Sequence, residues 1–385
     1  MIQAERHHIK GNSEIVRLCS TSKVLYNKCN FLMRKAWFSN TPLPDINFLV
    51  QSVQSLDCYR NLHNTKTAKQ TIRKVISDWS NFKKALNAYK KDPSKFRANP
   101  RPPYYKKKLA QVIFYNETIK RKTLKNDLII PTNGCFSIQS NRKFKEVVIT
   151  PKTFGFIVDV LYEIEKPIRK KVKSTQHICC IDPGINNLCT ITSDQLERPI
   201  LINGRIAKSI NQWYNKYPTK HNTKKRYFRL ENYFHHVSKY IIVLCLQHNI
   251  DKIIIGKNDG WKQEVKLRKK TKQSFQYIPF GNLWQKLEYK AELAGVEIVY
   301  TNESYTSKCS FFDNEVMDHH AIYQGKRKYR GLFITKDGFA VNADVNGSLN
   351  IGRKVIGESM LPAWIADRSL AARPVIVNPL EKLTV

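Results

Sequence analysis

Residues 178–192 have the sequence Ile-Cys-Cys-Ile-Asp-Pro-Gly-Ile-Asn-Asn-Leu-Cys-Thr-Ile-Thr. This stretch predicts a buried apolar strand that ends at Asp182, followed by a Pro-Gly turn and a second strand. Further along the chain, Val341-Asn342-Ala343-Asp344-Val345-Asn346-Gly347-Ser348 predicts a helix that opens with an acid among small residues. A carboxylate at a strand end or a helix start can reach a metal ion, so Asp182 and Asp344 suggest one composite site.

A third apolar strand lies between these two stretches. It comprises Lys252-Ile253-Ile254-Ile255-Gly256-Lys257-Asn258 and carries Gly256 where a further carboxylate would be expected. The number of acidic ligands therefore depends on whether another acid takes this place.

The charge of the chain predicts a polyanionic partner. Its 385 residues include 66 Lys and Arg against 31 Asp and Glu, a formal net charge of +35. Nucleic acid is the obvious polyanion, because binding to phosphates releases counterions. The longest apolar run, 240–246, is too short to span a bilayer, so no membrane association is expected.

Cysteine usage and the N-terminus bear on the compartment. The nine cysteines show no paired spacing apart from the adjacent Cys179 and Cys180, and the first residues lack an apolar signal region. We therefore expect a reducing, cytoplasmic location, associated with nucleoid DNA.

The N-terminal half predicts helices inserted into a β domain. Apolar periodicity indicates helices over residues 14–38 and 66–90. Residues 91–108 follow as a proline-rich, basic segment that cannot be helical. Residues 110–165 alternate in short β-like runs, which predict a small β-barrel or sandwich.

From His177 onward the element order changes. Strands are predicted over 177–182, 188–192, 199–203, 252–256 and 296–301, and helices over about 222–248 and 283–294. This is the order of the RNase H fold, in which the first strand is central, the fourth lies beside it and the fifth lies beyond. The ends of strands 1, 4 and 5 therefore share one edge of the sheet. Asn282 is predicted to cap the second helix, with Gln285 at its third position.

Four motifs in succession resemble those of TnpB, a family of RNA-guided DNA nucleases of insertion sequences that is ancestral to type V CRISPR effectors. They are Asp182-Pro183-Gly184-Ile185-Asn186-Asn187-Leu188, Ile255-Gly256-Lys257-Asn258 with Trp261-Lys262-Gln263, Glu303-Ser304-Tyr305-Thr306-Ser307-Lys308, and Asn342-Ala343-Asp344-Val345-Asn346-Gly347-Ser348-Leu349-Asn350-Ile351. Each motif alone is weak, but their joint order is specific. Pro93-Ser94-Lys95-Phe96-Arg97 extends the resemblance into the N-terminal half.

The resemblance implies an α/β plus β-barrel architecture. A wedge-like β-barrel would take residues 1–10 and 106–167, with a helical recognition lobe inserted over 11–105. A linker over 168–176 would lead to an RNase H-like RuvC nuclease domain, 177–303 and 341–357, which is interrupted by a small nucleic-acid-binding insertion over 304–340. The tail, 358–385, has little periodicity, which is compatible with disorder.

Phosphodiester hydrolysis by two hard cations needs clustered oxygen ligands. Asp182 and Asp344 fit this need, but Gly256 stands where many TnpB proteins place a glutamate. Glu303 ends the next strand, about 4.8 Å further out, and its longer side chain can point back toward the site. We therefore expect Asp182, Glu303 and Asp344 to hold two Mg²⁺ ions, with Mn²⁺ as a substitute. The competing interpretation is that Glu303 is a solvated strand-end residue and the enzyme is inactive.

The insertion departs from the commonest TnpB pattern, which has two Cys-x-x-Cys pairs forming a zinc ribbon. Here Cys309 is the one cysteine, and His319 and His320 are poorly spaced to complete a site with it. We expect a free thiol and no structural zinc. Residues 327–335 are predicted to form a basic β-hairpin instead.

Basic and aromatic residues outside the carboxylate site are predicted to contact nucleic acid, because aromatic rings offer stacking beside the charge. They are Lys95, Phe96, Arg97, Arg101, Tyr104, Lys106, Lys257, Trp261, Lys262, Arg327 and Arg330. The competing interpretation of each basic run is a solvated surface loop.

These patterns favour an RNA-guided DNA endonuclease, monomeric on each guide RNA, that cuts target double-stranded DNA next to a short motif. Two alternatives stay open. Gly256 is compatible with a nuclease-inactive, RNA-guided repressor. The charge alone is compatible with a guide-free DNA-binding accessory protein of transposition.

Overall fold

The computed structural model describes residues 2–96, 98–165, 177–257, 278–357 and 368–381. The chain divides into two compact units, Met1–Glu165 and Lys166–Val385. Within the described ranges, no helix has both the length and the apolar character needed to cross a membrane.

Two long helices organise the first unit. They are α1 (Ser13–Phe38) and α4 (Thr65–Lys91), which confirm the two predicted helices. Both helices begin at an asparagine cap, because Asn12 and Asn64 each accept a hydrogen bond from the backbone N–H three residues further on. Their packing buries Trp79, whose Nε1 donates to Asn30 Oδ1 at 2.8 Å. The shorter helices are α2 (Ile46–Val53), α3 (Asp57–Arg60) and α5 (Arg121–Leu124).

The β strands of this unit form an antiparallel sheet of order β1-β6-β5-β2. These strands are β1 (Ile2–Ile9), β2 (Val112–Tyr115), β5 (Phe144–Lys152) and β6 (Gly155–Glu163). Two short strands, β3 (Leu128–Ile129) and β4 (Ile138–Gln139), pair with each other and not with the sheet. Within the described residues β1 and β2 do not pair, so the strands form an open sheet and the closed barrel stays a prediction.

The second unit contains a six-stranded sheet of order β11-β10-β7-β8-β9-β15. Its strands are β7 (Ile178–Pro183), β8 (Asn187–Ser193), β9 (Ile200–Asn203), β10 (Lys252–Gly256), β11 (Glu297–Thr301) and β15 (Val375–Val377). Strands β7, β10 and β11 run parallel, whereas β8 runs antiparallel to both of its neighbours. The first strand is central with the fourth beside it, as the RNase H order predicts.

Helices cover both faces of this sheet. They are α6 (Arg205–Lys216), α7 (Lys220–Gln247), α8 (Phe280–Ala294), α9 (Ala343–Ile356) and α10 (Arg368–Ala372). Cys179 and Ile181 of β7 pack into the core with α7 and α8, whereas Ile178 and Cys180 pack with Ile351 of α9. Alternate residues of each strand therefore face different helices.

Three features of this unit differ from the sequence prediction. Helix α8 begins at Phe280, so Asn282 is not its cap; the Asn282 side chain donates to Glu231 Oε1 instead. Helix α6 was not predicted. In the tail, residues 368–372 are helical and β15 pairs with β9, so this part of the tail has regular structure.

The insertion forms a small antiparallel sheet. Strands β12 (Lys326–Tyr329) and β13 (Leu332–Ile334) make the predicted hairpin, and β14 (Ala340–Asn342) adds a third strand that leads directly into α9. The insertion thus ends at the start of the helix that carries Asp344.

Candidate active site

Asp182 lies at the end of β7, on the face that α9 covers. It continues the alternation of Ile178 and Cys180, which contact that helix. A Cβ atom on Gly347 of α9 would lie 2.7 Å from Asp182 Oδ2. Glycine at 347 therefore allows the helix to lie directly against the Asp182 carboxylate.

Asp344 is in the first turn of α9, where three polar side chains contact it. Asn342 caps the helix and accepts from the Asp344 and Val345 backbone N–H groups at 2.9 and 3.3 Å. The Asp344 carboxylate accepts from Asn187 Nδ2 at 2.9 Å and from Arg327 Nη2 at 3.0 Å, one on each oxygen. Asn187, at the start of β8, and Arg327, on β12, were not predicted to contact it.

Glu303 follows β11 and turns back over Gly256 at the end of β10. A Cβ atom at 256 would lie 2.7 Å from both Cγ and Oε1 of Glu303, and 2.6 Å from Cδ1 of Ile351. The Glu303 carboxyl group therefore fills the space that a side chain at 256 would take. Its Oε1 is shielded from solvent.

The electrostatics of Asp182 reflect its proximity to the other two carboxyl groups. The pKa of Asp182 is well above its usual range, mainly because of burial and then because of the nearby Glu303 and Asp344; Arg327 opposes the shift. Burial also raises the pKa of Glu303 to about 7, and the Lys354 ammonium opposes that shift. Like charges held together in this way favour a bound cation or a proton.

The chemistry of these donors fits a hard divalent cation, because all three offer carboxylate oxygens. Yet across the described ranges no three His, Cys, Asp or Glu side chains are arranged to hold a metal ion together. The guanidinium of Arg327, itself a cation, contacts one oxygen of Asp344. The three carboxyl groups therefore lie near one another without forming a complete set of metal ligands.

The predicted nucleic-acid contacts of the first unit differ from one another in their exposure to solvent. Arg101 is exposed and donates to the Tyr104 hydroxyl at 3.3 Å, and Tyr104 is 64% exposed. Lys106 instead packs on α1, with Nζ 4.2 Å from the Tyr26 ring centroid, and burial lowers its pKa. Arg101 and Tyr104 therefore face solvent, whereas Lys106 is partly occupied by a contact within the unit.

Among the remaining predicted contacts, some side chains likewise pack within their own unit and others are exposed. The Phe96 ring packs edge-on against Tyr89, with centroids 5.7 Å apart. In the second unit, Lys257 Nζ lies 4.7 Å from the Tyr300 ring centroid, and Arg330 is exposed at the end of the basic hairpin. Arg97, Trp261, Lys262 and the side chain of Lys95 lie outside the described part of the chain.

Cys309 is buried in the insertion, and its Sγ donates to the carbonyl oxygens of Val316 and Asp318 at 3.4 and 3.7 Å. His320 contacts the Val316 carbonyl oxygen at 2.6 Å. These contacts hold the loop through backbone carbonyl groups.

Two comparisons connect the site to known proteins. Residues 280–351 match the family model "Cas12f1-like, TNB domain". Over 80 residues, the chain is 32% identical to a TnpB-like protein, ORF457, of Acidianus two-tailed virus. The chain is therefore similar to TnpB-like and Cas12f1-like proteins over part of its length. The match with the viral protein spans 20% of this chain and 16% of the viral relative.

Solved structures of Cas12f proteins also match. The match with the cryo-EM complex of Cas12f1 with sgRNA and target DNA covers 92% of this chain and all of the Cas12f1 chain, at 14% identity and a TM-score of 0.36. The CRISPR-Cas12f ternary complex covers 88% of this chain and 81% of that chain, at 13% identity and a TM-score of 0.32.

Proposed function

We propose that this protein is a TnpB-like, RNA-guided DNA endonuclease of a transposon that hydrolyses DNA through Asp182, Glu303 and Asp344. The observation that carries the proposal is the meeting of these carboxyl groups at one edge of the sheet, with Glu303 in the space above Gly256. An isolated surface glutamate would be solvated. The Oε1 atom of Glu303 is instead shielded from solvent, and the nearby Glu303 helps to raise the pKa of Asp182.

Within the site, each residue has a distinct task. Asn187 holds one oxygen of Asp344 and Arg327 holds the other, so that the carboxylate has a fixed orientation. The Arg327 side chain is 40% exposed, which leaves other guanidinium N–H groups for a phosphate of the strand. When bound, Mg²⁺ or Mn²⁺ would activate water and stabilise the leaving oxygen.

The proposed partners are a guide RNA and target double-stranded DNA, with one protein monomer on each guide in the cytoplasm. The net charge of +35 supports a partner rich in phosphates. Base pairing would supply sequence specificity, while the protein would hold the heteroduplex by its backbone and read a short adjacent motif.

The decisive experiment is to express the protein with its flanking DNA and sequence the RNA that co-purifies. We expect one discrete RNA species, and the purified complex should cut matched DNA that carries the adjacent motif in Mg²⁺. Active protein that purifies free of RNA would contradict the guide hypothesis and favour the guide-free accessory protein.

A second candidate function is RNA-guided DNA binding without cleavage. The contact of Arg327 with Asp344 favours it, because a cation of the protein already neutralises one acid of the site. A complex that binds matched DNA tightly yet leaves it intact in both Mg²⁺ and Mn²⁺ would establish this function instead.

A further inference from the structure

Helix α9 holds the chain segment that follows β11, residues 302–311, through polar side chains. Asn346 Nδ2 donates to the Cys309 carbonyl oxygen at 2.9 Å. Asn350 Nδ2 donates to the carbonyl oxygens of Thr306 and Cys309 at 2.9 and 2.8 Å. Both asparagines are fully buried, so these hydrogen bonds are shielded from water.

Lys354 extends this row of contacts by one helical turn. Its Nζ donates to the carbonyl oxygen of Asn302 at 3.1 Å and to that of Ser304 at 2.5 Å. These two carbonyl groups belong to the residues on either side of Glu303. Lys354 therefore holds the backbone of Glu303 from both sides while leaving its carboxyl group directed toward Gly256.

We propose that Lys354 is a positioning residue for Glu303, an inference that rests on the proposed nuclease function. Glu303 reaches the site from β11, one strand beyond Gly256, so the direction of its side chain depends on the path of the backbone at 302–304. A compact ammonium group with several N–H donors is suited to bind two carbonyl oxygens at once.

The same helix carries Asp344 in its first turn and Lys354 in its last turn. The two residues are about 15 Å apart along a helix axis. Helix α9 thus supplies one proposed metal ligand directly and sets the position of another through Lys354. A rigid helix fixes both better than two independent loops would.

A lysine in the last turn of a helix also interacts favourably with the helix dipole, and this alone is a structural role. The experiment must separate the two roles. We would measure Mn²⁺ affinity by electron paramagnetic resonance on the full-length protein without nucleic acid. The variants are Lys354→Met, Lys354→Arg, Glu303→Gln and the Lys354→Met/Glu303→Gln double variant, with Lys308→Met as a control that removes an equal charge from the same segment.

We expect Lys354→Met to weaken Mn²⁺ binding about tenfold. Lys354→Arg and Lys308→Met should each retain most of the Mn²⁺ affinity. In the Glu303→Gln background the Lys354→Met change should have no further effect, because Lys354 acts through Glu303. Thermal unfolding of each variant checks that it folds.

Two results would overturn the inference alone: normal Mn²⁺ affinity in Lys354→Met, or an equal loss with and without Glu303. A wild-type protein that binds no Mn²⁺ would overturn the proposed nuclease function together with the inference.

Discussion

Glu303 can occupy its position because residue 256 has no side chain. Gly256 lies on the face of β10 that α9 covers, and its missing Cβ is replaced by the Glu303 carboxyl group. The carboxyl group of an acid that follows the neighbouring strand thus lies in the space that a side chain at 256 would take. The missing side chain at Gly256 and the position of Glu303 therefore depend on each other.

Three alanine variants test the proposed ligands directly. Glu303→Ala should reduce cleavage of guided DNA about a thousandfold, as should Asp182→Ala and Asp344→Ala, because a metal ligand contributes several kcal/mol to the transition state. Target binding should survive in all three, since the basic contacts are elsewhere. Cleavage assays beside filter binding would measure both properties, with Glu288→Ala on the exposed side of α8 as the control. Normal cleavage by Glu303→Ala would show that another acid completes the site.

The raised pKa of Glu303 predicts a dependence of stability on pH in metal-free protein. Burial raises this pKa from about 4.5 to about 7, so the folded protein keeps the proton more tightly than the unfolded chain does. The associated stability is complete below pH 4.5 and is lost as the pH rises to about 7, at a cost of about 3 kcal/mol.

The measurement for this prediction is chemical unfolding in EDTA at pH 5 and pH 8. Glu303→Gln, which mimics the protonated form, should lose less stability over this interval than the wild-type protein. Added Mg²⁺ should restore wild-type stability at pH 8 and have a smaller effect on the variant. An equal change with pH in both proteins would contradict the shifted pKa.

Strand β10 and helix α9 meet at Gly256 and Ile351, and this contact leaves no room for a methyl group. In Gly256→Ala the new Cβ would approach Glu303 Oε1 and Ile351 Cδ1 to less than 3 Å. Since Glu303 Oε1 is the end of a flexible side chain, it should move first. We expect a modest loss of stability, about 1 kcal/mol, and at least a tenfold loss of cleavage.

Gly281→Ala is the matched control for this variant, because a Cβ atom at 281, in α8, meets nothing within 4 Å. Both variants would be compared by thermal unfolding and by cleavage rate. If Gly256→Ala cuts as fast as Gly281→Ala, the position of the Glu303 carboxyl group does not matter for catalysis.

The insertion of strands β12, β13 and β14 should keep its structure without zinc. Cys309 is its one cysteine, and the thiol already donates to two backbone carbonyl groups. Elemental analysis of the purified protein should find no stoichiometric zinc, and chelation followed by Mg²⁺ should leave cleavage intact. One zinc ion per protein would mean that residues 304–340 hold a metal by ligands we have not recognised.

The charge of the molecule as a whole predicts steep salt dependence. With a formal net charge of +35, the protein should make many phosphate contacts, each of which releases counterions. Affinity for target DNA, measured in EDTA to prevent cleavage, should fall about a thousandfold between roughly 50 and 200 mM salt. A nearly flat response would show that the excess charge serves another purpose.

Much of the sheet of the second unit could be predicted from the sequence, because its strands are apolar and end in turn residues. The order of β7, β8, β9, β10 and β11 and the place of Glu303 could be predicted on this basis. The contact of Arg327 with Asp344 could not, since it depends on where β12 lies in three dimensions. The Lys354 hydrogen bonds could not be predicted either, because their acceptors are backbone carbonyl groups, which no residue type marks in the sequence.

Strand β15 was missed for a different reason. It has three residues, Val375–Val377, which is too short for a periodic pattern, and it gains its stability by pairing with β9. Only the long-range pairing makes it a strand.

The pairing of Val375 with Ile200 has a consequence for synthesis of the protein on the ribosome. Until Val375–Val377 has emerged, the apolar strand Ile200–Asn203 has an open edge, which is a template for pairing with other chains. Asp344 is also translated long after Asp182, so a chain released before residue 344 has neither a complete sheet nor all three acids. Premature termination should therefore give aggregation-prone fragments, and under the proposed function a fragment that ends before Asp344 should not cut DNA.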